Sequence, residues 1–573
     1  MFKSYLKERH NFAGFEGAFV FPCIAGIYRN GIGCIDFASL YPSIIRALNI
    51  SIETYVGKVL IYFKNASGNV TCDPDHEAMF DPFDDGESVY GTDDDGNENV
   101  RIKINAGDPE IDHLELMLPG PQRQRKKITL EQLRGMIETK CIWTPNNTLF
   151  LKHEVKEGVV AKWCEFFYAQ RKMNKKKELK IFHDLHNEEF VATLKPGERD
   201  VLETKMENYH ALQMALKICI NSIYGATGTS FSPIADPNIS QTITRMGRFC
   251  NKSSAKYVHN KFVKRYGADP NYVTASSGDT DSIFLNLEPV TAWMRKQNGL
   301  PDAIKDWKKK DKRALWDEVF QFVEKDVNGF VRGLAHDFCH TSRQDILTYE
   351  LEYMGDVGVY ERKKHYAVRK LFDEGDPVDK IKYSGIEMKK GSLPKFVKQY
   401  LQEIYEGVIL KGWTDKDYLS YVNDLYEKFK TFSVDEISFF KGYNTERESD
   451  GFLQMAQTVN PVTGKTVGTT GIAKAATYYN QIIQKMGLGK KYDQLRVGTQ
   501  CRFLYIEESN PYRINVMAYK DGQWPTEFNG VFKPDYKKMF EKTVLDALKA
   551  FRQACKFSET DPSKQVAFDI FSL

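Results

Sequence analysis

Pairs of aspartates separated by one residue are the first groups in this sequence that could carry chemistry. They occur at Asp73/Asp75, Asp93/Asp95, Asp279/Asp281 and Asp415/Asp417. Only the third pair lies in a glycine-containing turn between apolar stretches, and Asp36 similarly follows an apolar stretch. Because a carboxylate at the end of a buried strand is costly unless it is paired or metal-bound, Asp36, Asp279 and Asp281 are candidate ligands of divalent cations. Capping of a turn by the aspartate side chain is the alternative for each site taken alone.

A second set of residues has the spacing of one helix face and could bind phosphates. Lys217, Asn221 and Tyr224 follow at i, i+4 and i+7, and Arg171 and Lys175 lie four residues apart in an earlier stretch. An antiparallel pair of helices would aim these cations and the aromatic ring at one point, as a nucleoside triphosphate requires. A solvated basic face is the alternative for the lysines around Arg171, and a place in the core is the alternative for Tyr224.

The elements that must position these residues are visible in the local pattern. Residues 31–50 predict a strand, a tight turn and a helix with Pro42 in its first turn. The backbone amides of Ser39, Leu40 and Tyr41 then lie where phosphate oxygens can bind.

Further elements are predicted along the chain by the same patterns. Residues 159–186 and 197–224 predict two long helices in a hairpin. Residues 271–288 predict a β-hairpin around Asp279 and Asp281. The sequence after about residue 390 is mostly helical and polar in pattern, and residues 65–125 predict an irregular insertion that is strongly acidic over 72–100.

Length and composition restrict the protein class only weakly. A chain of 573 residues is too long for one core, so we expect two to four packed subdomains. The formal net charge of +3 does not by itself indicate nucleic-acid binding, although acidic and basic residues cluster in different segments. The cysteines show no zinc spacing, and their scatter favours a reduced cytoplasmic setting. The sequence contains no run of 18 apolar residues, so no membrane partner is expected.

Four segments of the chain, in this order, resemble the conserved motifs of the family B DNA polymerases. Asp36 to Ile45 (DFASLYPSII) resembles motif A, Lys217 to Gly225 (KICINSIYG) motif B, and Gly278 to Ser282 (GDTDS) motif C. Lys363 to Tyr366 (KKHY) resembles the basic-tyrosine motif that follows in the palm. The resemblance covers nearly the whole chain and is nearest to the polymerases of large tailed bacteriophages.

The resemblance implies roles for individual residues in two-metal nucleotidyl transfer. Asp36, Asp281 and the backbone of Phe37 would ligate two Mg²⁺ ions, for which Mn²⁺ would be a substitute, and Asp279 would be a supporting catalytic carboxylate. Contacts to the dNTP would come from Ser39, Leu40, Tyr41, Arg171, Lys175, Lys217, Asn221 and Tyr224. Tyr41 would exclude a ribose 2′-OH. Contacts to primer-template DNA would come from Gly225, Lys363, Lys364 and Tyr366.

The fold implied is of the α/β (α+β) class and has the shape of a right hand. Its palm would be an antiparallel sheet, its fingers a helical hairpin and its thumb mostly helical. The expected domains are palm over 1–157 with the acidic insertion at 65–125, fingers over 158–229, palm again over 230–389, and thumb over 390–573.

Two departures from the family pattern affect the expected partners. His365 stands where an arginine is frequent, which affects the strength of that DNA contact. Only 35 residues precede Asp36, with Glu8 and Glu16 as their only acids, so no proofreading exonuclease is expected on this chain. A split protein with a separate N-terminal exonuclease chain, or a piece of a longer protein, is therefore expected. A phage origin would place it in the cytoplasm of a bacterial host.

The C-terminal residues resemble the short peptides by which replicative polymerases bind a sliding clamp. Gln565, Phe568 and Phe571 would be the contact residues, with the two rings inserted in an apolar pocket. Packing of this tail on the chain's own thumb is the alternative. For the whole protein, the other hypotheses are a catalytically silent nucleic-acid-binding subunit and an RNA-making or reverse-transcribing palm enzyme.

Overall fold

The structure is a computed structural model that describes residues 17–64, 68–72, 110–120, 122–229, 231–444, 458–459, 466–467 and 471–559. The chain divides into two compact units, and each is considered by itself. Unit 1 comprises 1–22, 30–354 and 372–377, and unit 2 comprises 23–29, 355–371 and 378–573. None of the helices in the described part of the chain has the length and apolar character needed to cross a lipid bilayer.

Unit 1 contains two antiparallel sheets and a set of long helices. Its helices are α1 Leu40–Ala47, α2 Leu130–Thr139, α3 Val159–His186, α4 Glu188–Ala192, α5 Glu198–Thr227, α6 Pro237–Tyr266, α7 Glu288–Asn298, α8 Lys309–Gln321 and α9 Asn328–Gly333. Its strands are β2 Ile32–Phe37, β3 Tyr55–Lys64, β4 Val70–Cys72, β5 Glu110–Met117, β6 Arg125–Ile128, β7 Cys141–Trp143, β8 Thr148–Leu151, β9 Ala275–Gly278 and β10 Ser282–Asn286. Strand β11, Tyr349–Arg362, begins in unit 1 and continues in unit 2.

The first sheet of unit 1 has the strand order β11, β2, β10, β9. β10 pairs antiparallel with β2, with Ile283 opposite Ile35, and it forms a hairpin with β9. The second sheet has the order β6, β5, β3, β8, β7, with β4 also paired to β3. The predicted strand-turn-helix at 31–50 and the predicted β-hairpin at 271–288 are therefore both confirmed.

The two longest predicted helices are also confirmed. α3 and α5 correspond to the predicted 159–186 and 197–224, and the short α4 lies between them. α5 begins after Gly197, whose φ of 85° is readily adopted by glycine. Helix α6 begins at the N-cap Asp236, whose side chain accepts from the N–H of Asn238 at 2.8 Å.

Unit 2 combines helices with short antiparallel sheets around one apolar core. Its helices are α10 Lys395–Glu406, α11 Asp415–Phe429, α12 Val434–Ile437, α13 Gly471–Lys485, α14 Tyr536–Phe540 and α15 Asp546–Cys555. Its strands are β1 Gly26–Tyr28, β12 His365–Asp373, β13 Asp376–Ser384, β14 Phe439–Tyr443, β15 Thr458–Val459, β16 Thr466–Val467, β17 Thr499–Tyr505 and β18 Val516–Lys520, with the ends of β12 and β13 in unit 1. The core includes Leu401, Tyr418, Tyr479 and Phe503.

The mixture of helices with antiparallel sheets confirms the predicted α/β (α+β) class. The sheet β14-β17-β18 was missed by the sequence analysis, which emphasised helices after residue 390. Its strands are only five to seven residues long, and β14 lies far from β17 in sequence, so their pairing leaves little local signal. The assignment of palm, fingers and thumb, and the domain boundaries, stay predictions.

A buried glutamate in unit 2 lies just before the basic turn between β11 and β12. Tyr405 donates its hydroxyl hydrogen to Glu361, whose other carboxylate oxygen has no hydrogen-bond partner among the described residues. Burial raises the pKa of Glu361 to about 7, with a further increase from the charge of Glu387. The folded state therefore binds more protons than the unfolded state between about pH 4.5 and 7, and stability falls as the pH rises through this range.

We predict that Glu361→Gln removes this loss of stability. The variant keeps the hydrogen bond with Tyr405 and cannot ionise, so its free energy of unfolding relative to wild type should rise by on the order of 3 kcal/mol from pH 4.5 to 8. Urea denaturation across that range measures the difference. Glu427→Gln, at an exposed site, is the control. Parallel curves for wild type and Glu361→Gln would contradict the prediction.

Candidate active site

The site forms where β2 ends and the hairpin β9-β10 turns. Ser282 lies opposite Asp36 in the register, and the N–H of Phe37 donates to the carbonyl oxygen of Asp281 at 2.8 Å. Asp36 and Asp281 are half-buried and line the same cavity, which has a volume of about 1140 Å³. The strand pairing thus brings together two carboxylates that are 245 residues apart in sequence (281 − 36).

Asp279 has a different place in the same turn. Its carboxylate accepts from the N–H of Thr280 at 2.7 Å, and its own N–H donates to the carbonyl oxygen of Ser282 at 3.1 Å. It is not among the described residues that line the cavity. Turn capping, the alternative considered for all three aspartates, is therefore observed at Asp279.

The segment from Ser39 to Tyr41 presents the start of α1 to the cavity. Ser39 has a φ of 53°, and the hydroxyl of Ser43 donates to the carbonyl oxygen of Ala38 at 2.7 Å, which fixes the turn. The first N–H groups of a helix have no intrahelical acceptor, so the amides of Leu40 and Tyr41 are suited to bind an anion. All three residues predicted for phosphate binding line the cavity.

The charges of the cavity are divided between its walls. Among the described lining residues, every lysine and arginine belongs to α3 or α5: Arg171, Lys172, Lys175, Lys176, Lys180 and Lys217. Every acidic lining residue lies outside this hairpin: Asp36, Asp281, Glu324, Glu350, Glu352 and Glu374. A polyanion bound to the basic wall would approach the acidic wall only if cations bridged the two.

Two of the predicted cations have identifiable partners. Arg171 donates to the hydroxyl of Ser39 at 3.2 Å, and its buried Nε has no acceptor among the described residues. Lys175 forms an ion pair with Glu374, at 2.9 and 3.0 Å to the two carboxylate oxygens. Both members of this pair are more than a third exposed, so the pair contributes little to stability and is readily exchanged.

Tyr41 is held between neighbouring groups at the edge of the cavity. Its ring centroid lies 4.3 Å from that of Tyr224, with 40° between the planes. A Cβ placed on Gly247 of α6 would lie 3.2 Å from the Tyr41 ring, so the backbone of α6 approaches this ring closely. Burial raises the pKa of Tyr41, with further increases from Tyr224 and Asp281, so its hydroxyl is protonated at neutral pH.

Several lining residues were missed by the sequence analysis. They are Glu324, Glu350, Glu352, Glu374, Trp316 and Phe320. A signal existed for two of them, because Tyr349, Leu351 and Tyr353 are buried in alternation with Glu350 and Glu352. The other four come from α8, the π-helical segment Phe322–Val327 that follows it and the β12-β13 turn, which only the tertiary fold brings to the cavity.

The remaining predicted residues lie elsewhere. Gly225, in the last turns of α5, is exposed. In unit 2, Lys363 and Lys364 are exposed in the β11-β12 turn, while Tyr366 is buried, with its ring centroid 5.7 Å from that of Tyr360.

The predicted clamp-binding residues Gln565, Phe568 and Phe571 lie outside the described residues, as does most of the acidic insertion. Their roles stay predictions.

The oxygen donors at the site suit magnesium. Mg²⁺ is usually bound through one or two carboxylates, with water and substrate phosphates in its other positions. Asp36 and Asp281 supply two such carboxylates in one cavity, and the Phe37 carbonyl is an adjacent oxygen. Within the described residues, no group of three or more His, Cys, Asp or Glu side chains is arranged to hold a metal by itself.

Comparison with known proteins agrees with this geometry. The sequence model of DNA polymerase family B matches residues 3–83 and 117–297, which include Asp36, the helical hairpin and Asp281. The chain resembles family B of the DNA polymerases over these two segments. It is similar to the DNA-directed DNA polymerases of Enterobacteria phage T4 (22% identity over 97% of the chain) and Escherichia phage RB69 (24% over 98%).

An animal DNA polymerase is also similar over part of the chain. The catalytic subunit of Drosophila melanogaster DNA polymerase delta is 26% identical over 48% of this chain and 17% of its own length. The chain spans a little over half of the two phage polymerases, 56% and 57% of their lengths.

We predict that Gly278→Ala distorts the turn of this site. A Cβ at this position would lie 2.5 Å from the carbonyl oxygen of Ser282 and 2.5 Å from the ring of Phe21. Overpacking of this kind should lower the free energy of unfolding by about 1–3 kcal/mol, measured by chemical denaturation. Gly135→Ala in α2, where a Cβ meets nothing within 4 Å, is the control. Equal stability of Gly278→Ala and wild type would refute the close approach.

Proposed function

We propose that this chain is a template-directed DNA polymerase that adds dNTPs to a primer 3′-OH. In this reaction the primer 3′-OH loses its proton and its oxygen bonds to the α-phosphorus. The bond from the α-phosphorus to the oxygen that bridges it to the β-phosphorus breaks, which releases pyrophosphate. The observation that carries the proposal is the divided cavity, in which Asp36 and Asp281 face the cations of α3 and α5. The match to the family B model and the similarity to the phage T4 polymerase support the same activity.

Asp36, Asp281 and the Phe37 carbonyl would hold two Mg²⁺ ions, with Mn²⁺ as an alternative. When bound, such ions lower the pKa of the attacking hydroxyl and neutralise charge on the phosphates. The carboxylates stay in place because their strands are paired, so little reorganisation is needed when substrate arrives.

The triphosphate would be bound by the hairpin cations and the start of α1. Arg171 already reaches Ser39 and has an unused buried donor, so it can bind a phosphate oxygen near the α1 amides. Lys175 would exchange its contact with Glu374 for a phosphate, and Lys217 is exposed on the cavity wall. Inward movement of the hairpin would complete these contacts.

The nucleoside end of the substrate would lie near the two tyrosines. Tyr41 would exclude a 2′-OH by its bulk, since its ring is supported by Tyr224 and by the close approach of Gly247. Asn221 and Tyr224, on the same face of α5 and in the same cavity, would border the base pair.

Primer-template DNA is the expected macromolecular partner. Gly225 of α5 and the exposed Lys363 and Lys364 would contact it, the lysines through phosphate charge. Tyr366 is buried beside Tyr360 and would act by shaping the basic turn. A sliding clamp, a separate exonuclease chain and a place in phage replication in the bacterial cytoplasm are further parts of the proposal that rest on the family resemblance.

We predict that Asp281→Asn abolishes nearly all primer extension. Removing this charge weakens the cation site, and the rate should fall by at least about 10²–10³-fold, the usual cost of losing one preorganised electrostatic contact. Extension of a labelled primer with Mg²⁺ and dNTPs measures the rate, and DNA binding measured with EDTA should be unchanged.

Asp417→Asn is the matched control, since Asp417 belongs to another Asp-x-Asp pair and caps α11. Undiminished extension by Asp281→Asn would overturn the metal assignment. Absence of extension by the wild-type chain would instead favour a silent subunit or a required partner chain.

We predict that Tyr41→Ala relaxes discrimination against rNTPs by about 10–100-fold, because a pocket that loses a steric barrier accepts the extra hydroxyl. Single-nucleotide incorporation of a dNTP and the matching rNTP measures the ratio of kcat/KM values. Tyr41→Phe, which keeps the ring, should retain wild-type selectivity. Unchanged selectivity in Tyr41→Ala would refute the steric role. Efficient rNTP use by wild type would favour an RNA-making enzyme.

A further inference from the structure

A buried asparagine on α6 connects the β9-β10 turn, which holds Asp279 and Asp281, to the rest of unit 1. Asn251 is fully buried, and its Nδ2 donates to the carbonyl oxygen of Thr280 at 2.6 Å. Thr280 lies between Asp279 and Asp281, so this bond fixes the backbone at the tip of the hairpin. The opposite side of the turn is fixed by the bond from Phe37 to Asp281.

The same amide also contacts strand β11. The Oδ1 of Asn251 accepts from the hydroxyl of Tyr349 at 2.5 Å, and Tyr349 is fully buried. The Tyr349 ring packs edge-on against Phe37, with centroids 4.7 Å apart and planes at 68°. Since Phe37 follows Asp36, the network reaches the backbone beside both carboxylates.

Tyr349 is itself held by a second buried asparagine. Asn328 of α9 accepts from the N–H of Tyr349 at 2.7 Å and donates to its carbonyl oxygen at 3.0 Å. Asn328 is 1% exposed. A chain of buried hydrogen bonds thus runs from α9 through Tyr349 and Asn251 to Thr280, and connected buried networks of this kind specify one arrangement.

The network is needed because Asp36 and Asp281 line the same cavity. Like charges in a half-buried cavity repel each other, so a turn held on one side only would relax by moving Asp281 away from Asp36. A divalent cation binds well only when its ligands are already at the required separation. Groups that orient metal ligands without touching the metal commonly change its affinity by about 10–100-fold.

We propose that Asn251 is a positioning residue that fixes the separation of Asp36 and Asp281 and thereby sets the affinity of the site for divalent cations. This inference rests on the proposed polymerase function, because it concerns the same cation site. It goes beyond that function in assigning the control of cation affinity to a residue that touches neither substrate nor metal.

The test compares Asn251→Leu with wild type by Mn²⁺ titration, monitored by electron paramagnetic resonance, on the chain with a dideoxy-terminated primer-template and the next dNTP. We expect Mn²⁺ affinity to fall about 10-fold. The Mg²⁺ concentration for half-maximal primer extension should rise by a similar factor, while DNA binding in EDTA stays unchanged. Tyr349→Phe, which deletes one hydroxyl, should change the Mn²⁺ affinity and the half-maximal Mg²⁺ concentration in the same directions but by less. If Asn251→Leu does not fold, Tyr349→Phe still tests the positioning role.

Asn480→Leu is the matched control. Asn480 in unit 2 also bridges a backbone donor and acceptor, those of Leu495, at 2.8 and 2.9 Å. It should lower thermal stability without changing Mn²⁺ affinity. Wild-type Mn²⁺ affinity in folded Asn251→Leu and Tyr349→Phe would overturn the positioning role, even with lowered melting temperatures. Failure of wild type to extend primers would favour a silent subunit or a required partner chain over a self-sufficient polymerase, and the Mn²⁺ titration would still decide the role of Asn251.

Discussion

The repulsion between Asp36 and Asp281 is the constraint on which the rest of unit 1 depends. Two carboxylates stay close together in one half-buried cavity only if the backbone holds them there and nearby positive charge offsets their repulsion. The pairing of β2 with β10 supplies the first condition, through the bond from Phe37 to Asp281. The cations on α3 and α5 supply part of the second.

The surrounding helices hold the two carboxylates in place and supply positive charge near them. Helix α6 packs against the site. Gly247 permits its close approach to Tyr41, and Asn251 donates a hydrogen bond to the backbone of the hairpin turn. Helices α3 and α5, of 28 and 30 residues, also line the cavity, and their lysines and arginines supply its positive charge. Separation of charge by wall gives a polyanionic substrate one favourable orientation, with its phosphates toward the helices.

The parts of the site that the sequence predicts are those whose signal is local. The strand, turn and helix around Asp36 can be read from an apolar run followed by Pro42. The α3-α5 hairpin is marked by helical spacing of Lys217 and Tyr224. Each of these segments carries its own periodicity, so no knowledge of distant contacts is needed.

The parts that the sequence could not predict arise from tertiary contacts. Glu374 reaches the cavity from the turn between β12 and β13, and nothing near it in sequence indicates a neighbour on α3. Asn251 resembles any polar residue in a long helix until the fold shows Thr280 and Tyr349 against it. The distinction between Asp279 and Asp281 likewise depends on side-chain direction, which spacing alone does not give.

The ion pair between Lys175 and Glu374 has a consequence for the thermodynamics of substrate capture. In the proposed reaction a phosphate oxygen takes the place of the Glu374 carboxylate, so one internal counter-ion is released instead of one from solution. The logarithm of a polyanion's affinity falls linearly with the logarithm of the salt concentration, and the slope is set by the number of solution ions displaced. Lys175 therefore adds to the recognition of the nucleotide while adding little to the salt dependence of its binding.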